Sequence, residues 1–478
     1  MKDFWLNDYC TTLLKKIKNA RCALLGFGVT GRAIIEFLFD IGAEKITVHD
    51  RKSAEELDSD AVYRSRGIKF VSGEQYLDHI DADFIFRSPG IRDDHDGIVR
   101  AVENGAYLTS EMELFFELTP AVIIGITGSD GKTTTTTLCA KILEKKLEGK
   151  SGRVYLGGNI GTPLLPRVFE MTENDYAVVE LSSFQLKTMK NSADRAVITN
   201  LSPNHLDWHT GMDEYIESKF NICCHKAMPR LVTNADNALT MKLTERVSRA
   251  TLFSSTRTNY EEICPEGRNK AIFERDGEIL LSDGTVERVM LKTADIKLVG
   301  RHNVENYMAA IGALDGLVSA ENVREVARTF GGVEHRLEFV RTLDGVSYYN
   351  SSIDTSPTRT AAALSALSQK PIVICGGYDK HIPFDTLGDT LCQKAKCVVL
   401  TGATANVIKA AVEASAFREN SELVVVEEAK FEDAVIRARA MASEGDIVIL
   451  SPACASFDAF PNFAARGNTF KQIVNEMR

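Results

Sequence analysis

The chain has no apolar run of 18 residues and no C-x-x-C pair, and its basic residues do not outnumber its acids. The first absence argues against a membrane-spanning helix, so no membrane insertion is expected. The opening Met-Lys-Asp-Phe-Trp also lacks a charged-then-apolar leader pattern. The ten cysteines are scattered, and the vicinal Cys223 and Cys224 cannot easily bridge, which points to a reduced, cytoplasmic setting. With 56 Lys and Arg against 66 Asp and Glu, a formal charge of −10, no basic patch dominates, which argues against a general nucleic-acid binder. Internal repeats and low-complexity tracts are missing too. What remains is an ordinary globular composition over 478 residues, enough chain for about three domains.

The most informative stretch is Gly125-Ile-Thr-Gly128-Ser129-Asp130-Gly131-Lys132-Thr133-Thr134. An apolar run, Ala121 to Ile124, precedes it, and a segment of helical character from Thr135 to Leu147 follows. Strand, glycine-rich loop and helix in that order suit a polyphosphate. Backbone N–H groups face inward, the helix N-terminus adds partial positive charge, Lys132 adds a full one, and Thr133 offers a hydroxyl to Mg²⁺. The strict phosphate-loop pattern asks for glycine at 126, where this chain has isoleucine. The expected ligand is ATP.

Earlier in the chain, Cys22-Ala-Leu-Leu reads as a strand entering Gly26-Phe-Gly28-Val29-Thr30-Gly31, with a helix to about Ile41 and a strand from Ile46 to His49 ending at Asp50-Arg51. That is a dinucleotide-type fingerprint with its acid at the usual distance. A further strand, Phe84-Ile-Phe86, ends at Arg87-Ser-Pro-Gly90, a turn able to approach a phosphate. The segment is too short for a two-half dinucleotide domain, so a nucleotide diphosphate on one Rossmann-like half is expected.

Further on, Ala177 to Val179 delivers Glu180 with Ser182, Ser183 and Gln185 behind it, and Ala196 to Ile198 delivers Asn200, His205 and Asp207. Tyr215 and Lys219 lie four apart on one face of an expected helix over 213–225. Residues 250–295 suggest hairpins. From 333 onward, apolar runs ending at Asn350, Gly376-Gly377, Thr401 and Ser451 suggest another parallel sheet with ligands at its carboxyl edge. The expected class is α/β in three domains: a Rossmann-like half over 1–110, a mostly parallel ATP-binding domain over 111–332, and a Rossmann-like domain over 333–478.

These motifs together resemble the Mur ligase family along essentially the whole chain. The resemblance is carried by Thr127-Gly-x-x-Gly-Lys132-Thr, Glu180-Leu-Ser-Ser, Asn200-x₄-His205-x-Asp207, Gly300-x-His-Asn303-x-x-Asn306, His335-Arg336, Gly376-Gly-Tyr-Asp-Lys380 and Ser451-Pro-Ala-Cys-Ala-Ser456 through Phe463 to Arg466-Gly467. It implies an ATP- and Mg²⁺-dependent amide ligase that activates the carboxylate of UDP-N-acetylmuramoyl-L-alanine as an acyl phosphate and adds D-glutamate. A monomer acting on these small molecules is expected.

By that resemblance, Gly128, Ser129, Asp130, Gly131, Lys132, Thr133, Thr134, Asn303, Asn306, Arg336 and Asn350 would meet the nucleotide. Gly28, Val29, Thr30, Asp50, Arg51, Gly90, Asn159, Ser182 and Gln185 would hold the UDP-linked substrate, and Asp354, Lys380, Ser456 and Phe463 the glutamate. Metal would be held by Thr133, Glu180, His205 and Lys219, the last as a carbamate. Taken alone, Lys219 reads as a solvated helix lysine and His205 as a structural histidine, while His302 and His335, beside motif residues, read equally as structural or functional. Lys132, Glu180, His205, Lys219 and Arg336 would form the catalytic set. The chain departs from the family at Asp130, usually Asn, at Asn204, where an acid is common, and at Asn350-Ser351-Ser352-Ile353-Asp354-Thr355, where the family pattern is Asp-Ser-Lys-Ala-Thr-Asn. Open alternatives are a sibling ligase taking L-glutamate, folyl polyglutamate synthesis, a nicotinamide-dependent oxidoreductase and a nucleotide-switch protein.

Overall fold

The computed structural model describes residues 7–58, 60–205, 208–226, 230–298, 300–379 and 383–478. It contains three sheets in two compact units, Met1–Asp295 with Arg301–Arg328, and Ile296–Gly300 with Thr329–Arg478.

The first sheet is wholly parallel and holds β1 (Cys22–Leu25), β2 (Ile46–Asp50), β3 (Lys69–Ser72), β4 (Phe84–Arg87) and β5 (Tyr107–Thr109) in the order 3-2-1-4-5. β1 and β4 are buried along their length, in keeping with apolar runs over Cys22–Leu25 and 84–86, and β4 ends at the buried Arg87. The edge strands β3 and β5 are short and partly exposed, so neither shows a clear apolar period in the sequence. The order reverses between β1 and β4, and the Gly26–Gly31 loop and the Ser88–Gly90 turn leave from those two strands.

The second sheet has nine strands. It contains β6 (Val122–Thr127), β7 (Val154–Gly158), β8 (Tyr176–Glu180), β9 (Arg195–Ile198), β10 (Leu231–Asn234), β11 (Ala250–Ser254) and β12 (Lys270–Arg275), all parallel, followed by the antiparallel hairpin strands β13 (Glu278–Ser282) and β14 (Glu287–Lys292). β6 is central, between β8 and β9, so the glycine loop opens where Glu180 and Thr199 also emerge. The helices Lys132–Leu147 and Arg301–Leu314 pack against each other, burying Leu138, Cys139, Ile142, Tyr307, Ile311 and Leu314.

The second unit holds one six-stranded sheet of β15 (Glu338–Leu343), β16 (Val346–Asn350), β17 (Ile372–Cys375), β18 (Cys397–Leu400), β19 (Val424–Glu427) and β20 (Ile447–Leu450), in the order 15-16-20-17-18-19. Only the β15–β16 pair is antiparallel. Apolar side chains on both faces of β17, β18 and β20 build its two cores. All ten cysteines are free thiols, and Cys224 alone is exposed. Among the described residues no helix is long and apolar enough to cross a membrane.

Candidate active site

The loop after β6 owes its shape to two glycines. Gly128 has φ +144°, and a Cβ there would stand 1.9 Å from Thr199 Oγ1; Gly131 has φ +78°, with a Cβ 2.4 Å from Asn306 Oδ1. No other residue fits such positions without displacing a neighbour. Gly131 caps the Lys132–Leu147 helix without a side-chain hydrogen bond, and the positive end of that helix favours an anion. The loop is moored to the end of β9: the Asp130 N–H donates to Asn200 Oδ1 (2.9 Å), and its carbonyl accepts from Thr199 Oγ1 (2.5 Å) and Asn200 Nδ2 (3.3 Å). The Asp130 residue itself is exposed.

On the helix, Lys132 Nζ reaches back to the Ser129 carbonyl (3.0 Å), and Thr133 Oγ1 donates to Glu180 Oε2 (2.7 Å). Asn159 Nδ2 donates to the other carboxylate oxygen of Glu180 (2.8 Å), so a nearly buried acid is oriented from two sides. Thr134 is half-buried on the same turn. The next three threonines are scaffold: Thr135 Oγ1 donates to Asn306 Oδ1 (3.2 Å), while Thr136 and Thr137 donate to the carbonyls four residues back (2.8 Å each). Asn306 in turn donates to Asn303 Oδ1 (3.0 Å), which links both asparagines of the Arg301–Leu314 helix to the Lys132–Leu147 helix.

Lys219 is not a solvated lysine. It is 2% exposed, its Nζ donates to Thr127 Oγ1 (3.2 Å) and the Gly128 carbonyl (2.9 Å), and it lies 4.7 Å from the Tyr215 ring centroid. Burial pushes its ammonium well below the usual lysine range, and the Lys132 charge acts in the same sense while Glu180 opposes it. Tyr215 OH meets Ser129 Oγ at 2.9 Å. His205 is exposed at φ +54°, its ring edge-on to Phe184 at 4.9 Å. His209 is buried, and desolvation lowers its imidazole pKa against the opposing pull of Glu214. Asp207 lies outside the described residues. Among the described residues no three His, Cys, Asp or Glu side chains converge as a metal cluster. The donors that do converge, the Thr133 hydroxyl and the Glu180 carboxylate, are hard oxygens suited to Mg²⁺.

In the first sheet, Gly28 is exposed with open space around its Cβ position, and it begins the Val29–Asp40 helix without a side-chain cap. Val29 is 73% exposed and Thr30 half-buried beside it. Asp50 has a local duty: its carboxylate accepts from the Phe27 N–H (2.8 Å) and the Lys52 N–H (3.0 Å), holding the glycine loop against β2. Arg51 pairs with Glu74 (2.8 Å) on the surface. The Gly90 carbonyl accepts from Trp208 Nε1 (3.3 Å). Arg87 is fully buried and donates to the carbonyls of Pro89, Ile91 and Phe184 and to Thr188 Oγ1, joining the Gly90 turn to the Ser183–Leu186 helix. Ser182 and Gln185 cap that helix reciprocally, Gln185 N donating to Ser182 Oγ (3.2 Å) and Ser182 N to Gln185 Oε1 (2.9 Å). The Ser-x-x-Gln spacing is a sequence signature of that box. Arg87 and Asn159 show no such signal, because their partners are distant in sequence.

In the second unit, Arg336 is exposed on a tight turn between two strained neighbours, His335 (φ +63°) and Leu337 (φ +43°). Asn350 is fully buried. Its Nδ2 donates to His335 Nδ1 and Glu338 Oε2 (2.9 Å each) and its Oδ1 accepts from Ser352 N (3.1 Å), so it braces this turn. Where the family pattern has lysine, Ser352 is buried and takes the Arg466 guanidinium: Nε donates to Ser352 Oγ, and the other nitrogens to the carbonyls of Ser352, Cys454 and Ala455, all at 3.0 Å. Burial lowers the Arg466 pKa to about 10. Asp354 is 6% exposed and accepts from Ser451 Oγ (2.9 Å). Burial lifts its carboxyl to about 6, against the opposing pull of Ser351, Ser451 and Arg336. Ser456 is buried, and Phe463 is partly exposed with its ring 5.9 Å from His335. Lys380 lies outside the described residues.

Residues 126–314 match the Mur ligase middle domain, and residues 335–454 match the Mur ligase glutamate ligase domain. A UDP-N-acetylmuramoylalanine–D-glutamate ligase of Clostridium acetobutylicum is 46% identical over 470 residues, covering 97% of this chain and 98% of its own. One of the same name from Clostridium novyi is 47% identical, covering 96% and 98%. Among solved structures, a UDP-N-acetylmuramate–alanine ligase of Thermotoga maritima shares the fold with TM-score 0.53 at 20% identity, over 96% of this chain and all of its own. With domains matched in sequence order and relatives aligned nearly end to end, this chain belongs to the Mur ligase family.

Proposed function

We propose that the protein joins D-glutamate to UDP-N-acetylmuramoyl-L-alanine at the expense of ATP, in peptidoglycan precursor synthesis. The observation that carries this is the near-full-length likeness, at 46 and 47% identity, to ligases of that name. The substrate carboxylate attacks the γ-phosphorus, giving an acyl phosphate and ADP; the glutamate amine then attacks the acyl carbon, and phosphate leaves with the electron pair of the C–O bond. Positioning and charge neutralisation supply most of the rate.

We assign residues 1–110 to the UDP-linked substrate, 111–332 to ATP and 333–478 to glutamate. Lys132 and the loop N–H groups from Gly128 to Thr134 hold the β- and γ-phosphates, with Asn303 and Asn306 on the nucleotide side. Thr133 and Glu180, with His205, are suited to hold Mg²⁺, which when bound neutralises phosphate charge. Gly28, Val29, Thr30, Gly90, Ser182 and Gln185 serve the UDP-linked substrate, while Asp50, Arg51 and Asn159 keep their neighbours in place. From the second unit, Arg336 is assigned to the transferring phosphoryl group and Asp354, Lys380, Ser456 and Phe463 to glutamate; Asn350 supports Arg336. A monomer in the cytoplasm completes the assignment.

Lys219 is assigned as a carbamate. Its buried nitrogen, with its pKa lowered, gives up the ammonium proton and so carries the lone pair that CO₂ requires: an N–C bond forms, a second N–H proton leaves, and the neutral amine becomes an anionic oxygen ligand. An inactive Lys219→Ala that acetate never rescues argues against it. ADP release with the UDP-linked substrate, compared between D- and L-glutamate, tests the whole assignment; equal rates or none overturn it.

A further inference from the structure

Buried Ser183 and His209 and the partly exposed Glu214 form a line beside the site that none of the assigned roles uses. Ser183 Oγ stands 2.8 Å from His209 Nε2, and His209 Nδ1 stands 3.4 Å from Glu214 Oε2, an electrostatic contact without full hydrogen-bond alignment. The Glu214 carboxylate is itself fixed by the Thr210 N–H (2.7 Å), Lys187 (3.2 Å) and Arg92 (3.4 Å). The nearby carboxylate favours the tautomer with its proton on Nδ1, which makes Nε2 the acceptor for the Ser183 hydroxyl. The His209 side chain is 0% exposed and Ser183 2%, so the serine has no opening through which to act as a nucleophile.

The imidazole ring also sits at a junction. It stacks on Phe184 (5.7 Å, 27°) and meets Tyr215 edge-on (5.4 Å), and the Tyr215 hydroxyl contacts Ser129 of the phosphate loop at 2.9 Å. Ser183 opens the short helix that Ser182 and Gln185 cap. One side chain thus touches both the segment proposed for the UDP-linked substrate and the tyrosine that holds the ATP loop. A phenylalanine would fill the space without the cost of burying polar nitrogens, so the bond at Nε2 is what the imidazole adds.

We propose that His209 is a positioning residue: it locks the Ser183 turn to the phosphate loop through Tyr215, setting the substrate carboxylate against the γ-phosphorus. This rests on the ligase assignment above. In-line attack is sensitive to displacements of about 1 Å, which cost about 100-fold.

The test compares wild type with H209F, H209Q, S183A and the S183A/H209F double variant, by ADP release and by calorimetric binding of UDP-N-acetylmuramoyl-L-alanine. H209F is expected to lose at least about 10-fold in kcat with the KM for D-glutamate held within about twofold, and H209Q to recover part of the loss. If His209 acts through Ser183, the double variant is no worse than H209F by more than about twofold. Losses that multiply in the double variant, or a kcat for H209F within about twofold of wild type, overturn the proposal. Should H209F fail to fold, S183A with an unchanged melting temperature decides: unchanged kcat overturns the proposal, and a kcat loss at least as large as that of H209Q supports it. A wild-type protein that neither binds the UDP-linked substrate nor releases ADP overturns the ligase assignment and this role with it, whereas active wild type with indifferent variants overturns the role alone.

Discussion

Replacing Asp354 by asparagine isolates the cost of a carboxyl group that the second unit buries. Burial lifts that carboxyl from the ordinary 3.8 to about 6. Because the folded value lies above the unfolded one, the folded unit holds its proton while the unfolded chain has already lost it. Stability is therefore complete below pH 3.8 and falls as pH rises to about 6, with a constant deficit beyond. The difference corresponds to about 3 kcal/mol at neutral pH, and with Asp354 6% exposed solvent screening removes little of it. Asparagine cannot ionise, yet its carbonyl can still accept from Ser451 Oγ. The variant should lose the pH dependence: equal to or weaker than wild type at pH 4, and relatively stronger by up to about 3 kcal/mol at pH 7. Hydrogen exchange on peptides spanning β16 and β20, corrected for intrinsic rates, reports this unit separately. A wild-type-to-variant difference constant from pH 4 to 8 refutes the reasoning. The same variant examines the substrate role, since an unchanged glutamate KM and kcat excludes Asp354 from gripping the ammonium.

Thr133→Val keeps the helix but removes the hydroxyl 2.7 Å from Glu180, and kcat should fall by about 100-fold or more with little change in melting temperature; a loss under about threefold counts against the assignment. Arg466→Met leaves three buried carbonyls and the Ser352 hydroxyl without their donor, and should destabilise the second unit by about 3 kcal/mol or more in urea unfolding. Gly28→Ala meets nothing within 4 Å and keeps φ at −76°, so the fold should be unaffected; a raised KM for the UDP-linked substrate alone would place the ligand against that backbone, and an unchanged KM would remove it. Gly128→Ala, by contrast, should disable folding or nucleotide binding outright, because its Cβ would overlap Thr199 Oγ1.

Local pattern alone determined where the phosphate loop lies and which strands deliver side chains to it. β6, β8 and β9 are short, apolar and buried, each followed at once by polar residues, and that contrast is visible in any parallel sheet. The hairpins of β12 to β14 were likewise legible from their turn residues. The edge strands β3 and β5 were not, since a partly exposed strand of three or four residues has neither a continuous apolar run nor a clear alternation. Tertiary structure alone decided which polar group satisfies which. Lys219 and His209 carry no mark of burial in the sequence, yet the fold seats one against the Gly128 carbonyl and the other against Ser183. Asp50, which looks like a ligand-binding acid, holds the Phe27 N–H, and Arg466 fills the place beside Ser352 where the family pattern has lysine. The reason is one of distance: hydrophobic period and turn chemistry act over a few residues, whereas a buried donor must find its acceptor wherever the packed chain brings one.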